Sequence, residues 1–513
     1  MSNLLAKAVS NSAWTAIGSV MTGVLGFLFA GLTIRWLGEA EAGFAIAIAT
    51  ILGVNNTFSG LGLGTAATRL ISQAYHENDR QRMQEVAGVF LTTSLTFGLL
   101  GLAVLSFGSS WIIHWSRYSG DADIAHWYCV LSGMTFLFQQ ITGYFGVFLT
   151  SLQRFDWQTK LNSVYLLMNG IFGITLLKFF PNILTLGLIG LSLSFLNGVC
   201  TGLIVTRLLR FLAIPTWSQS MFKEMWTFGK WVYLTELKVS FIDGIDKLFL
   251  TSMFGSSSLA YYAFSQRIYL TIHGMLVGQS AYLLPMLSAQ GKDLNSVAKQ
   301  IEDRLRWLIS IFSALIYSGL IILGPGLLSI MINPGFSKAA SFQLLIFSLV
   351  GYIHAQAIVT YFVNFSKGLA RDNWMYVMIA GFGYFPLFVF LALKFGYQYA
   401  VIGHLMMFVA VLYLLRNANR SMGWRPFVRW TFSPLSSSLI LITTSILIDL
   451  VLYACRATFW ERLAGAIIFF LIGTPLVFFL ENHFFSAQRR IETFVRAMFV
   501  FRDKISGAKR LSS

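Results

Sequence analysis

Charge is scarce in this sequence, and that scarcity decides which solvent the chain can live in. Asp, Glu, Lys and Arg make up 11% of the 513 residues, while 56% are hydrophobic and mean hydropathy is +0.68. Water-soluble domains carry about 25% charged residues, so a chain this apolar is built for lipid. Cysteine is nearly missing too. Cys129, Cys200 and Cys455 are scattered without metal-ligand spacing, which argues against a disulfide framework or a metal site. No polar gap between the apolar runs is long enough to fold as a soluble catalytic domain. The stretch Ser59-Gly60-Leu61-Gly62-Leu63-Gly64 lacks the Lys-Ser/Thr of a phosphate loop, and neither HExxH nor GxSxG occurs. An ATPase or a membrane glycosyltransferase is therefore disfavoured, and nucleotide cofactors and metals are not expected.

What is present is a succession of apolar runs. A helix crossing the bilayer core needs ~20 mostly apolar residues. Such runs fall near 11–34, 43–65, 86–108, 125–151, 161–180, 186–206, 229–253, 258–287, 307–332, 339–366, 374–393, 398–415, 434–455 and 461–483. The first is longer than a signal-peptide core and is read as a retained span. The expected fold is all-α, a polytopic membrane protein of about fourteen transmembrane helices.

The net charge of +16 would suit nucleic acid if it covered a folded surface, but the basic residues sit between spans, so no nucleic-acid partner is expected. They alternate instead. Arg69, Arg80, Arg82, Arg154, Lys160, Arg207, Lys299, Lys367, Arg371, Arg416 and Arg425 fall on one side, while the other side holds only a few, such as Arg117 and Lys178. This bias puts both termini in the cytoplasm. The basic tail beyond residue 485 is expected to lie along anionic membrane lipids.

Two segments are alike. Trp14 precedes Gly38 at the same distance by which Trp231 precedes Gly255, and an aromatic and small stretch follows each glycine (Gly43-Phe44-Ala45 and Tyr261-Tyr262-Ala263). Repeats of about six spans are a recurrent way to build transporters with a site between the halves. The expected organisation is a six-helix lobe over residues 1–210, an interfacial linker over 211–228, a second six-helix lobe over 229–416, two further helices over 417–485, and a basic tail over 486–513.

Ionisable side chains within spans cost about 2.5–3.5 kcal/mol each and mark cavities. The seventh run holds Lys230, Glu236, Lys238, Asp243, Asp246 and Lys247, and the eighth adds Arg267. Helical geometry places Glu236, Ser240, Asp243 and Lys247 on one face with Asp246 beside it. Two readings are open: the charges neutralise one another and hold two helices together, or they bind an anionic head group or relay a coupling ion. Lys247 and Arg267 are the candidate substrate-binding cations, with Arg69 at the inner mouth, although Arg69 also fits a span-end anchor whose charge snorkels to the interface. Glu236, Asp243, Asp246 and His273 are candidates for coupling or charge pairing. Gly60 and Gly64 have GxxxG spacing for close helix packing, and Pro285, Pro325, Pro386 and Pro475 are expected to break or bend their spans.

These features converge. Arg35-Trp36-Leu37-Gly38, Gly43-Phe44, Gly60-Leu61-Gly62-Leu63-Gly64 before Arg69, and Phe241-Ile242-Asp243-Gly244-Ile245-Asp246-Lys247 before Ala260-Tyr261-Tyr262 resemble the bacterial polysaccharide flippases. These form the Wzx-like branch of the multidrug/oligosaccharidyl-lipid/polysaccharide exporter superfamily. The resemblance implies a transporter rather than an enzyme, resident in the bacterial inner membrane. It would move an undecaprenyl-pyrophosphate-linked oligosaccharide from the cytoplasmic to the periplasmic leaflet by alternating access, for O-antigen, other lipopolysaccharide, capsule or exopolysaccharide assembly. Implied partners are the lipid-linked oligosaccharide, a polysaccharide polymerase and a chain-length regulator. Family members carry a cavity charge on the first helix, and this chain departs from that, with no ionisable residue between Trp14 and Ile34. The alternatives are a cation-coupled multidrug exporter of the same superfamily and a membrane polysaccharide polymerase.

Overall fold

The computed structural model describes residues 23, 26–152, 154–209, 214–280, 283, 294–367, 369–432, 435–475 and 479. Among these residues the regular structure is helical, without a strand. Helix α1 is Gly26–Leu37, and it is followed by α2 (Glu39–Gly60), α3 (Leu63–His76), α4 (Arg80–Phe107), α5 (Ser109–Trp115) and α6 (Ala122–Ser151). Next come α7 (Phe155–Phe179), α8 (Ile183–Leu209), α9 (Gln219–Phe254) and α10 (Ser256–Ser280). The remainder comprises α11 (Leu294–Met331), α12 (Pro334–Ala355), α13 (Ile358–Ser366), α14 (Ala370–Phe382), α15 (Tyr384–Phe395), α16 (Tyr397–Ala400), α17 (Met407–Ala418), α18 (Trp424–Phe432), α19 (Ser436–Ala454) and α20 (Phe459–Ile468). Eight of the described helical stretches are long and apolar enough to cross a membrane.

Local chemistry sets the helix starts. The Asp79 carboxylate accepts from the Arg82 amide at 2.9 Å to open α4, Asp121 accepts from the Asp123 and Ile124 amides to open α6, and Ser218 opens α9. Thr458 and Glu461 form a reciprocal capping box at α20. Within the helices, threonines such as Thr33, Thr93 and Thr201 donate to the carbonyl four residues back, which satisfies their hydroxyls without water.

Several spans depart from continuous runs. The second breaks where Leu61 and Gly62 turn left-handed, at φ 45° and 64°. A Cβ on Gly62 would lie 2.0 Å from the Gly229 carbonyl oxygen, so only glycine lets α9 pass this closely. The tight contact is therefore at Gly62, whereas Gly64, expected to pack closely, makes ordinary contact with Phe90 and Val147. The seventh span begins earlier than its apolar core implies, because α9 runs unbroken from Gln219. The segment before it lies on α4, where the Thr92 hydroxyl donates to the Thr216 carbonyl at 3.0 Å. Pro325 lies inside α11, which continues to Met331, and its carbonyl accepts from the Ser337 hydroxyl at 2.6 Å. The eleventh run divides at Gly383, just ahead of Pro386, and a π-helical turn at Phe469–Gly473 precedes Pro475. Pro285 lies outside the described residues.

Contacts divide the chain into two compact units. One comprises Met1–Ile268, Met331–Phe336 and Phe388–Ala400, and the other Tyr269–Ile330, Ser337–Leu387 and Val401–Ser513. In the first, Leu63, Ile71, Val86, Phe90, Tyr144 and Phe148 form a buried core. In the second, Tyr317, Tyr352, Leu441 and Ile442 belong to one core, pinned by a Ser438 hydroxyl that lies 2.6 Å from both Ser310 Oγ and Tyr352 Oη. A buried ion pair ties the last helices down: Arg462 of α20 is 2.6 Å from Asp449 of α19 and donates to the Ile322 carbonyl of α11 at 3.0 Å.

The internal likeness read from sequence has a conformational counterpart. Gly38 between α1 and α2 has φ 84° and ψ 171°, and Gly255 between α9 and α10 has φ 84° and ψ 173°. Side chains rarely adopt this backbone, so each junction requires glycine.

Candidate functional site

The charged stripe of the seventh span lies on α9. Asp246 is fully buried there. Its carboxylate accepts from the Tyr262 hydroxyl, from Gln266 Nε2 at 3.2 Å and from the Lys247 amide at 2.7 Å. Tyr262 and Gln266 are one turn apart on α10, so a single helical face supplies both donors. A buried carboxylate needs such partners, and these two fasten α10 to α9 at this point. Lys247 is half-buried beside it. Glu236 and Asp243 lie on α9 with side chains outside the described residues.

Arg267 follows Gln266 on α10 but points elsewhere, because consecutive helical residues diverge by about 100°. It is exposed. A Cβ on Gly26 of α1 would sit 3.3 Å from Arg267 Nη2, so the guanidinium lies against the first helix. Between Trp14 and Ile34 the first span carries no cation, and the eighth span brings one to it. Along α10 the same face continues through Leu270, which is 40% exposed, to Gly274 and Gly278, where an added Cβ would meet nothing among the described residues within 4 Å.

The α2 helix completes the neighbourhood. Gly43 approaches the start of α10 so closely that a Cβ would lie 1.8 Å from the Ser256 carbonyl oxygen, and Gly244 of α9 faces Val54 and Thr50 of α2. Past Gly38, Glu39 accepts from the Tyr261 hydroxyl at 2.5 Å, and Glu41 accepts from the Ile183 amide at 3.1 Å. Burial pushes the Glu41 carboxyl up from its usual range, with the Ile183 N–H opposing.

The other predicted residues are placed as follows. Arg69 is exposed on α3, where a long cationic side chain also suits an interfacial anchor. His273 lies further along α10, with its ring stacked on His354 of α12. Sequence reasoning missed Tyr262 as a donor to Asp246. It also missed the pair formed by Asn56 of α2 and Gln140 of α6, whose amides meet at 2.9 Å with Asn56 exposed. Uncharged amides within apolar runs were the available signal.

Comparison with known proteins fits this architecture. Among solved structures, a lipid II flippase MurJ in an inward closed conformation superposes with a TM-score of 0.70 at 15% identity, covering 91% of this chain and 98% of that one. An inward-facing multidrug resistance MATE family transporter of the MOP superfamily gives 0.62 at 15% identity over 79% and 98%. A Vibrio cholerae MATE transporter mutant gives 0.54 at 14% identity over 82% and 97%. At such identities the likeness is one of fold. Comparison with curated protein sequences finds no match. Residues 8–290 match the family described as "Polysaccharide biosynthesis protein". That span is more than half of the chain, and the chain belongs to this family.

Proposed function

We propose that this protein is a flippase that carries an undecaprenyl-pyrophosphate-linked oligosaccharide from the cytoplasmic to the periplasmic leaflet of a bacterial inner membrane. Alternating access would deliver it to the assembly of O-antigen, capsule or exopolysaccharide. The observation that carries this reading is Arg267, whose guanidinium lies against Gly26, in a chain of the polysaccharide family. Guanidinium presents five N–H donors in a planar fork that matches phosphate oxygens, and it stays charged under all relevant conditions. Lys247 adds a second cation. Asp246 is spent on Tyr262 and Gln266, so it anchors the site instead of repelling the ligand. The Asn56 and Gln140 amides suit sugar hydroxyls, which need both donors and acceptors.

In this reading residues 1–210 and 229–416 act as lobes, the helices of 417–485 and the basic tail are accessory, and both termini are cytoplasmic. A polymerase and a chain-length regulator would take the product.

Deleting the gene and locating lipid-linked repeat units by leaflet tests the proposal. Complete repeat units confined to the cytoplasmic face, with surface polymer lost, are expected. Repeat units stranded on the periplasmic face would make the protein a polymerase. Normal polymer with defective dye efflux would favour a multidrug exporter, the reading that the likeness to MATE folds keeps alive.

A further inference from the structure

The second unit holds a cluster of polar rings that the proposed substrate path does not use. His273 of α10 and His354 of α12 stack with ring centroids 3.6 Å apart and planes inclined by 13°. The Tyr269 hydroxyl, one turn before His273, lies 2.6 Å from His354 Nδ1. His273 Nδ1 is buried and has no hydrogen-bond partner among the described residues. A buried imidazole nitrogen left unsatisfied costs free energy, whereas a proton placed on His354 Nδ1 finds the Tyr269 hydroxyl as its acceptor, with the face of the neutral His273 ring against the resulting cation. Two protons at this separation would repel strongly, so the pair accommodates one.

His354 also occupies a mechanically special position. It lies in the last turn of α12, immediately before the Gln356-Ala357 turn that separates α12 from α13. Its carbonyl accepts from the Ala357 amide at 3.1 Å, and the Ile353 carbonyl accepts from Gln356, so the backbone at this residue forms the break itself. A change in how the His354 ring packs on α10 is therefore delivered directly to a junction between two helices.

We propose that His273 and His354 form a single-proton binding site whose occupancy sets the geometry of the α12–α13 break, coupling conformational change to proton movement. Among the described residues, the titratable groups that face it are tyrosines: Tyr269 from α10, Tyr376 from α14 with its ring 6.3 Å from His354, and Tyr317 from α11, which packs on Gly351 one turn before His354. Phe347 of α12 stacks on Tyr269 and also packs on a third imidazole, His404, which lies on Tyr384 at 4.1 Å. Tyrosine is neutral across the physiological range, so an arriving proton takes this group of rings from no charge to one positive charge. What that proton drives rests on the transport reading; the site itself does not.

The test uses the full-length protein in lipid nanodiscs, with no substrate added. Solid-state NMR of 15N-labelled histidine follows ring protonation between pH 8 and pH 5. On a background with Cys129, Cys200 and Cys455 replaced by serine, spin labels at Lys338→Cys on α12 and Phe365→Cys on α13, both exposed positions, report the distance across the break. The expected result is one proton taken up by the pair together with a shift in the distance distribution. Both should be lost in His273→Gln and His354→Gln and retained in His404→Gln. Tyr269→Phe, which keeps the ring and removes the hydroxyl, should move the midpoint while preserving the distance change. Rings that stay neutral throughout, or that titrate without any change in distance, would overturn the proposal and leave the stack as packing. Because neither readout involves a lipid-linked sugar, failure here is separable from failure of the flippase reading.

Discussion

Arg267 meets α1 at a glycine, and this contact makes two substitutions informative. Arg267→Ala should lower transport by roughly tenfold or more at an unchanged membrane level, since hydrogen bonds to charged groups are worth about 1.5–3 kcal/mol. Arg267→Lys should restore part of it, because a point charge remains but the fork is gone. Gly26→Val, which adds bulk where Nη2 lies, should fall between wild type and Arg267→Ala. Leaflet assays of lipid-linked repeat units check all three, and wild-type rates in Arg267→Ala would sink the site. Asp246 calls for a stability measurement. Tyr262→Phe removes a donor from a fully buried carboxylate, at a cost of about 1–3 kcal/mol, seen as a lower Tm in detergent. For Glu41 the sign runs the other way: a carboxyl pushed up by burial stabilises the fold below its ordinary pKa and loses that contribution as pH rises through the raised value. Glu41→Gln keeps an acceptor for the Ile183 amide, so it should raise Tm at neutral pH, with a gain that vanishes in acid. The residues carrying charge were legible from sequence, because charge within an apolar run stands out. Their partners were not: Tyr262, Gln140 and His354 are separated in the chain from the groups they meet, and only packing brings them together.

At the scale of helices, the glycines separate into two physical kinds. Gly38 has open space around it and a backbone that side chains avoid, so Gly38→Ala should cost about 1–3 kcal/mol of strain alone. Gly43 has ordinary backbone, yet a Cβ there would overlap the Ser256 carbonyl, so α2 and α10 must separate. Gly43→Ala should therefore reduce the yield of folded protein more than Gly38→Ala, as read by size-exclusion chromatography of detergent extracts. The paired glycines at 38 and 255 could be found from spacing, but their shared φ could not. The break at Gly62 was hidden because its cause, the Gly229 carbonyl, belongs to another helix. The same limit applied at Gly383 and at Gln356-Ala357, where apolar runs read straight through junctions that tertiary contacts impose.

For the whole molecule, the alternating basic residues predict sidedness. On a background lacking native cysteine, Lys178→Cys should react with a membrane-impermeant maleimide in intact cells, and Arg371→Cys should react only after the inner membrane is opened; both native positions are exposed. Reversed labelling would overturn the assignment of both termini to the cytoplasm. The Arg462–Asp449 pair carries the argument into biogenesis. Membrane proteins are laid into the bilayer helix by helix as they emerge from the ribosome, and each of these two ions alone penalises the helix that bears it. Once α19 and α20 stand side by side, the charges meet at 2.6 Å and that penalty is largely cancelled. The two helices should therefore leave the translocon as a hairpin, with α19 held at the lateral gate until Arg462 has been synthesised.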